Sequence, residues 1–344
     1  MDRQAAFVGS ITLSNRTSAD GPRPINLRTD LGPLADLIEM AFADSMDSGG
    51  RAAVREMRYL SKMGVGLSLL GSVNDLVQGI SMGFVWITGG RLVGNVSVYP
   101  ANWPADLGKT WIIANVAVHP DYQRRGIATQ LMQASLEMIR EQGGQRAILQ
   151  VDLDNYTARR LYTRLGFINE IPWTLWRRSG TSHLPAPYEG ARDIYITQRR
   201  PGEWRAEYEL AQRLRPQELG GLGWMRPLHP SQFRQSVWRR LGEWISFQTQ
   251  ERLVIRSEDE RHLLASLRIE RSLGANTDLV LLVEPEYQGL YDEALINLAV
   301  RRFGGRGQAL VLEHPSEEAI TSEILRRYQF RSQREVMHMR WEVR

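Results

Sequence analysis

The sequence predicts an α/β fold built from two tandem domains. Helical and strand-like patterns alternate along both halves of the chain. The length of 344 residues exceeds one domain of ordinary size. The order of elements in the second half also repeats the later part of the first half. With 42% hydrophobic and 24% charged residues, the composition is typical of a folded soluble protein.

The first half predicts helices followed by a series of strands. Gly89-Gly90 predicts a hairpin turn, because glycine adopts the positive φ that such turns need. Apolar residues at helical spacing predict the helix 126–142, and Gly143-Gly144 ends it. The predicted elements are a strand at 24–29, helices at 33–42 and 51–62, strands at 83–90, 91–101 and 110–120, the helix 126–142, a strand at 147–154, a helix from 155 to 166, and strands at 167–178 and 191–200.

The run Arg199-Arg200-Pro201-Gly202 marks the predicted domain boundary, since proline and glycine interrupt regular structure. The chain therefore divides into an N-terminal extension (1–23), a first domain (24–200) and a second domain (201–344). The predicted elements of the second domain are a helical region at 204–247, strands at 252–258, 262–271 and 278–285, a helix at 290–303, a strand at 309–315, a helix at 316–328 and a strand at 336–344.

Sequence identity supports an internal duplication. A shift of 165 positions pairs Val118 with Val283 and Tyr122 with Tyr287. Four of the six residues from 118 to 123 are identical at this shift, at the same place in the element order. We therefore interpret the two halves as two copies of one unit.

Composition restricts the classes of function. The chain has no cysteine, which excludes disulfides, thiolate zinc sites and a cysteine nucleophile and is compatible with a reducing cytoplasm. The net charge of +4 is spread along the chain without a basic block, so we expect no nucleic-acid partner. The most apolar region, 63–105, is interrupted by Asp75 and Arg91, and the first residues do not resemble a secretory signal. We expect a cytoplasmic protein outside the membrane.

The loop Gln123–Thr129 carries the clearest functional signal. It joins a predicted strand to a predicted helix, so its main-chain N–H groups lack partners and lie at the positive end of the helix dipole. Gly126 and the small Ala128 let a bulky anion approach, while Arg124 and Arg125 add positive charge. This arrangement suits a diphosphate. The alternative is a plain strand-to-helix turn with solvated arginines.

A second motif, NYTARRLYTRLGF at 155–167, makes a family resemblance specific. With the loop residues Gln123, Gly126 and Ala128, it resembles the GCN5-related N-acetyltransferases (GNAT), which transfer an acetyl group from acetyl-coenzyme A (acetyl-CoA) to an amine. The matching residues of the second motif are Asn155, Ala158, Tyr162, Gly166 and Phe167. The resemblance covers residues 24–200 and implies mixed, mostly antiparallel sheets flanked by helices.

The resemblance also implies roles for individual residues. Backbone groups at Val116 and Val118 would bind the pantetheine arm and polarise the thioester, and Asn155 would bond the same arm. Tyr162 would protonate the departing thiolate, a role that suits a phenol of pKa near 10. The implied cofactor-binding residues are Val116, Ala117, Val118, Gln123, Arg124, Arg125, Gly126, Ile127, Ala128, Thr129, Asn155 and Tyr162.

Several of these residues have structural alternatives. Tyr162 can fill the core with a locally bonded hydroxyl, and Asn155 is a good helix N-cap. Asp152 and Asp154 are candidates for the base that deprotonates the amine, although turn solvation also explains both. His119 precedes a proline, a position that is more often structural. The tryptophans expected near an acceptor can stack on substrate or belong to the core; they are Trp86, Trp111, Trp173 and Trp176.

The second copy has lost the features that the cofactor needs. Its loop reads Gly289, Leu290, Tyr291, Asp292 and Glu293, so a tyrosine replaces the small residue and two acids occupy the helix start. Asn155 aligns with Glu317 or Glu318, and Tyr162 with Ile324 or Leu325. We therefore expect one active site per chain, with a second copy that covers or shapes the acceptor cleft or stabilises by packing.

The predicted activity is transfer of an acetyl group from acetyl-CoA to a primary amine by direct attack in a ternary complex, since no cysteine can carry an acyl intermediate. The acceptor would be a small-molecule amine or a peptide, and the chain a monomer or homodimer. The alternative is a non-catalytic acyl-CoA sensor or interaction module.

Overall fold

The computed structural model of the chain describes residues 20–43, 46, 48–62, 82–234, 249–271, 276–305 and 307–343. The fold class is confirmed: it is a mixed α/β structure with a mostly antiparallel sheet flanked by helices. Two compact units are distinguished. Unit 1 comprises residues 1–99 and 113–138, and unit 2 comprises residues 100–112 and 139–344. The proposed boundary at residue 200 lies within unit 2, so the division into domains remains a prediction.

The described residues of unit 1 form two helices, three strands, most of a fourth strand and the helix after it. Helices α1 and α2 bury apolar residues such as Leu34 and Met57 against Val85 of the sheet. Strands β1 and β2, and likewise β2 and β3, pair antiparallel. The elements are β1 (Gly21–Pro24), α1 (Leu27–Ala41), α2 (Ser48–Lys62), β2 (Gly83–Thr88), β3 (Arg91–Pro100), β4 (Thr110–Val118) and α3 (Ile127–Glu141).

In unit 2, the part of the chain that the structure describes forms the remaining strands and four α-helices. The first three residues of β4 pair in parallel with β5, and the sheet continues from β5 in the order β12, β6, β11, β10, β9, β8, β7. The elements are β5 (Arg146–Asp152), α4 (Tyr156–Arg164), β6 (Ile168–Arg178), β7 (Thr197–Gln198), α5 (Trp204–Leu214), β8 (Thr249–Arg256), β9 (Leu263–Arg271), β10 (Thr277–Val283), α6 (Tyr291–Phe303), β11 (Leu310–Pro315), α7 (Ala319–Arg327) and β12 (Arg331–Glu342).

The element order repeats along the chain. Strands β1 to β6 with α3 and α4 have counterparts in β7 to β12 with α6 and α7, in the same sequence. The last strand of each copy is exchanged: β12 pairs antiparallel with β5, and β6 pairs antiparallel with β11. The two exchanged strands also pair with each other. The predicted duplication is therefore visible in the order of elements, and the exchange was not predicted.

Of the predicted strands, 24–29 is wrong and 191–200 is shorter than expected, with a strand at two of its residues. Residues 24–29 were expected to form a strand, but Asn26 caps α1 by accepting a hydrogen bond from Arg28 N at 3.0 Å. Within 191–200, Thr197–Gln198 form a strand, which pairs with β8 and not with the first copy. The side chains of Ile194 and Ile196 pack against the core of the second copy instead.

The other predicted elements agree in type and order, with shifted ends. The predicted helical region 204–247 contains α5 and short 3-10 turns, and its residues 235–248 lie outside the described part of the chain. Residues 1–19 and 63–81 also lie outside it. Among the described residues, no helix combines the length and the apolar character needed to cross a membrane.

Candidate functional site

The loop between β4 and α3, in unit 1, presents a row of free main-chain donors. Arg124 and Gly126 adopt positive φ of 60° and 78°. The six N–H groups of residues 124–129 find no acceptor in the described part of the chain, and the first helical bond runs from Gln130 N to Gly126 O at 3.1 Å. Successive N–H groups with left-handed residues form a concave anion-binding surface. The dipole of α3 adds positive potential at the same end.

The side chains of this loop leave space above the donors. A Cβ added to Gly126 would meet no atom closer than 3.9 Å, so the glycine is required by its φ and faces open space. Arg125 is held in place, donating to Asp121 O at 2.8 Å with its guanidinium 5.0 Å from the Tyr122 ring centre. Arg124 is exposed and makes no ion pair with a described residue, so its charge is available to a ligand.

Strand β4 has a backbone irregularity before the loop. Asn115 adopts a φ of 51°, and its carbonyl accepts a hydrogen bond from Asn95 Nδ2 at 2.9 Å. Its own amide donates to Ser97 Oγ at 3.3 Å. A left-handed residue inside a strand changes the direction of the residues that follow. Asn95 and Asn115 were not predicted, because a positive φ in a strand has no short-range signal apart from asparagine itself.

One of the β4 backbone groups expected to bind the pantetheine arm already has a hydrogen-bond partner within the protein. Ala117 is buried, whereas Val116 and Val118 are half-buried. The Val118 carbonyl accepts a hydrogen bond from Gln123 Nε2 at 3.3 Å, so Gln123 closes the loop onto the strand that precedes it. Ile127 is buried, and Ala128 and Thr129 are half-buried at the start of α3.

The second motif lies in unit 2, after β5. Asn155 is the N-cap of α4, and its Oδ1 accepts a hydrogen bond from Ala158 N at 3.1 Å. The N-cap role named in the sequence analysis is therefore confirmed. The carboxamide Nδ2 makes no hydrogen bond with a described residue and remains available as a donor.

Tyr162 is buried on α4 and packs on Phe167, with ring centres 5.9 Å apart. Burial raises the pKa of its phenol well above the ordinary value near 10. The hydroxyl makes no hydrogen bond with any described residue, so the structural alternative of a locally bonded hydroxyl does not apply. A hydroxyl without a protein partner is free to donate to a bound ligand.

The candidate bases have ordinary structural partners. Both ring nitrogens of His119 have neighbours: Arg91 Nη2 lies 3.0 Å from Nε2, and Asp121 N donates to Nδ1 at 3.3 Å. Asp152 accepts two hydrogen bonds from Arg334, at 2.7 and 3.0 Å. Asp154 is exposed and makes no side-chain contact with a described residue. These contacts give none of the three an evident role as a base.

The tryptophans predicted near an acceptor are mainly core residues. Trp111, Trp173 and Trp176 are almost completely buried within unit 2. Trp86, in unit 1, is half-buried and donates to Thr88 Oγ1 at 3.0 Å. The core interpretation therefore holds for three of the four.

In the second copy, a carboxylate occupies the donors of the corresponding loop. Asp292 is fully buried, and its Oδ1 accepts from the N–H groups of Gly289 and Glu293 at 2.7 and 2.9 Å. Its Oδ2 accepts from Thr321 Oγ1 at 2.8 Å. The acids at this helix start were expected to repel a diphosphate. The structure shows in addition that the Asp292 carboxylate already occupies the main-chain donors.

The equivalents of Asn155 and Tyr162 are also replaced. Glu318 is the N-cap of α7, as Asn155 is of α4, which decides between the two aligned residues left open by the sequence. The residue seven positions later is Leu325, fully buried, in place of Tyr162. The second copy therefore lacks both side chains.

Fold and loop define the class of protein: a mixed α/β protein with a loop of unpaired main-chain donors at a helix N-terminus, within the described residues. Residues 72–167 match the model of the Acetyltransferase (GNAT) family.

Three known proteins are similar to parts of the chain or to its fold. The chain is 44% identical over 55 residues to N-alpha-acetyltransferase 30 of Schizosaccharomyces pombe, a match that covers 16% of this chain and 37% of that protein. A GCN5-related N-acetyltransferase from Sphaerobacter thermophilus has a TM-score of 0.59 at 16% identity, covering 94% of this chain and 95% of its own. The glucosamine N-acetyltransferase region of a fungal multi-domain protein has a TM-score of 0.56 at 15% identity, covering 93% of this chain and 38% of that one. At such identities the two structures show the fold alone.

Proposed function

We propose that the chain is an N-acetyltransferase that transfers an acetyl group from acetyl-CoA to the primary amine of a small molecule or peptide. The observation that carries the proposal is the row of free N–H groups at residues 124–129. The match of residues 72–167 to the GNAT family model supports acyl transfer in general. The cysteine-free sequence is compatible with a cytoplasmic location, which we propose as well.

The loop fits a diphosphate. Free N–H groups, the positive end of α3 and the unpaired guanidinium of Arg124 all favour an anion at this position. The open space above Gly126 leaves room for phosphate oxygens to reach the main chain. Acetyl-CoA would supply the activated acetyl thioester, and Arg124–Thr129 would hold its diphosphate.

Two side chains of α4 would serve the arm and the leaving group. Asn155 would donate from Nδ2 to the cofactor arm while its Oδ1 caps the helix. Tyr162 would donate its proton to the thiolate as the bond to the acetyl group breaks. Its raised pKa keeps the phenol protonated at neutral pH, so the donor form is always present.

The acceptor is proposed to be a nitrogen nucleophile that attacks the thioester directly. The names of the yeast relative and of the fungal structure both describe N-acetyltransferases, which supports nitrogen as the acceptor atom. The chain has no cysteine for an acyl-enzyme intermediate. We propose one active site per chain, because Asp292 fills the corresponding loop of the second copy.

The binding site is tested by calorimetry with acetyl-CoA and Gly126→Glu. A carboxylate at this loop would oppose a diphosphate, so the affinity should fall by at least about 100-fold. Gly89→Glu is the matched control, because Gly89 also has positive φ and faces open space. If both variants bound acetyl-CoA like the unchanged protein, the proposed placement of the diphosphate would be wrong.

Release of free thiol in the presence of an amine panel tests turnover. Tight binding without thiol release from any amine would instead support the alternative of a non-catalytic acyl-CoA sensor. The partnerless hydroxyl of Tyr162 favours turnover, since a sensor does not require a buried proton donor.

A further inference from the structure

A cavity of about 610 Å³ lies in unit 2, beside the end of β6 and the start of β12. None of its described lining residues belongs to the proposed cofactor site, and none is acidic or apolar. They are Arg177, Ser179, Ser182, Gln329, Arg331 and Gln333. The volume falls within the range of about 300–1,000 Å³ that is typical of small-molecule sites. The cavity therefore has a suitable size for a small polar ligand.

Two arginines of this lining lie directly opposite each other on neighbouring strands. Arg331 of β12 pairs with Arg177 of β6 in the antiparallel register. Arg177 donates to the neutral Asn276 Oδ1 at 3.2 Å, whereas Arg331 is exposed and makes no hydrogen bond or ion pair with a described residue. Like charges directly opposite each other destabilise a sheet. The two guanidinium groups therefore lack a counter-ion among the described residues.

The internal duplication indicates that the fold does not require this pair. Arg331 is the first residue of β12, and Ile168 is the first residue of β6. Ile168 faces Arg340, at the position in the register that corresponds to the pair of Arg331 with Arg177. The first copy thus has an isoleucine where the second copy has an arginine. The charge of Arg331 is therefore not explained by the formation of the strand.

The walls of the cavity are held together by a buried side chain. Arg178, which is 1% exposed, donates from Nε to Tyr328 O at 2.8 Å and from Nη2 to His183 O at 2.6 Å. The first carbonyl precedes Gln329, and the second follows Ser182. Both loops are therefore fixed before a ligand arrives, which reduces the ordering cost of binding.

Most of the other lining side chains are donors without partners. The side chains of Ser182, Gln329 and Gln333 make no hydrogen bond with a described residue, whereas the Ser179 hydroxyl lies 2.8 Å from Thr181 Oγ1. Hydroxyl and carboxamide groups both donate, and a guanidinium presents five N–H groups in a planar fork that matches phosphate oxygens. The described lining therefore offers two positive charges and several hydrogen-bond donors to an anion.

We propose that this cavity binds a phosphorylated small molecule, with Arg177 and Arg331 both donating to its phosphate. A phosphate monoester carries a charge of about −1.5 to −2 at neutral pH, which matches two guanidinium groups, whereas one carboxylate balances a single arginine. Ser182, Gln329 and Gln333 would donate to the phosphate or to hydroxyl groups of the molecule. The limited volume and the lack of a basic block in the sequence favour a small molecule over a nucleic acid.

Calorimetry with glucose 6-phosphate and the full-length protein tests the proposal. The titration uses the Gly126→Glu protein beside the unchanged one, because the loop 124–129 is a second position where a phosphate can bind. Saturable binding should persist in Gly126→Glu, which makes the result independent of the proposed diphosphate loop. Glucose lacks the phosphate and acetate carries a single charge, so both should bind at least about tenfold more weakly.

In the Gly126→Glu protein, the additional substitution Arg331→Ile should weaken the binding of glucose 6-phosphate by at least about tenfold, since it removes a charged donor. Isoleucine is the residue that the first copy has at the equivalent position, 168. Arg261→Ile is the matched control, because it removes the same charge from an exposed position outside the lining. The melting temperature after Arg331→Ile should equal or exceed that of the Gly126→Glu protein, because two opposed like charges are separated.

Several results would overturn the proposal. They are the absence of saturable binding in Gly126→Glu, equal affinities after Arg331→Ile and Arg261→Ile, and an affinity for acetate equal to that for glucose 6-phosphate. A lower melting temperature after Arg331→Ile would show that the arginine serves the fold. Tighter binding of a DNA duplex or of phosphatidylglycerol vesicles, lost after Arg331→Ile, would assign the surface to a nucleic acid or a membrane instead.

Discussion

Tyr162 combines a buried ring with a hydroxyl that has no partner among the described residues. Burial alone raises the pKa of the phenol, because the phenolate would lose its solvation without gaining a hydrogen bond. Asn155, seven positions earlier, has one polar atom committed to its helix and one free. At the scale of single residues, the second motif therefore offers two donors to a ligand, and both belong to one short helix.

The substitution Tyr162→Phe should reduce kcat by about 100-fold, since general acid catalysis contributes at least that much. The affinity for acetyl-CoA should change little, because the ring that packs on Phe167 is kept. Tyr156→Phe is the matched control on the same helix, where Tyr156 is 67% exposed. Steady-state rates of thiol release, with calorimetry for binding, make the comparison. Equal kcat values for the two variants would show that Tyr162 does not donate a proton to the thiolate.

At the scale of elements, the two strand-to-helix loops of the repeat use their N–H groups in opposite ways. In the β4–α3 loop the donors are free, and a glycine and an arginine with positive φ keep the surface open. In the β10–α6 loop, Asp292 accepts two of the corresponding donors and is anchored by Thr321. The first loop is suited to an external anion, whereas the second uses an internal one for stability.

We therefore expect Asp292→Ala to destabilise the protein by about 2–4 kcal/mol, because buried donors at a helix start lose their acceptor. Glu286→Ala is the control, since Glu286 is exposed near the same loop and should change stability by less than about 0.5 kcal/mol. Urea unfolding monitored by circular dichroism gives both values. A loss as small as the control's would show that Asp292 contributes nothing to this helix.

The sequence predicted what depends on local patterns. The loop at Gly126, the helix stop at Gly166 and the order of most elements follow from glycine placement and periodicity. The strand 24–29 failed because the capping of Asn26 outweighs the apolar pattern. The exchange of the last strands was missed because β12 comes from a distant part of the chain and joins β5 and β6 by strand pairing that no local pattern shows.

At the scale of the molecule, both copies contribute strands to the sheet of unit 2, because their last strands are exchanged. Strand β12 lies between β5 and β6, and its backbone pairs with both. Val336, Met339 and Trp341 of this strand are buried. The sequence-based boundary at residue 200 therefore does not coincide with a boundary of the sheet.

A chain ended after Arg200 should consequently be insoluble or aggregate. It would lack β12, leaving β5 and β6 without the strand that joins them, and exposed strand edges promote association. Size-exclusion chromatography of this truncation, beside the full-length protein, tests the expectation. A soluble monomer of residues 1–200 that bound acetyl-CoA would contradict it.

The position of β12 also has a consequence for synthesis on the ribosome. At roughly 5–20 residues per second, the 178 residues between Asp152 and Arg331 take on the order of 10–40 s to translate. During that interval β5 lacks its neighbour β12, which has not yet been synthesised. A nascent chain of this kind would benefit from a chaperone that covers the unpaired edge of β5 until β12 leaves the ribosome.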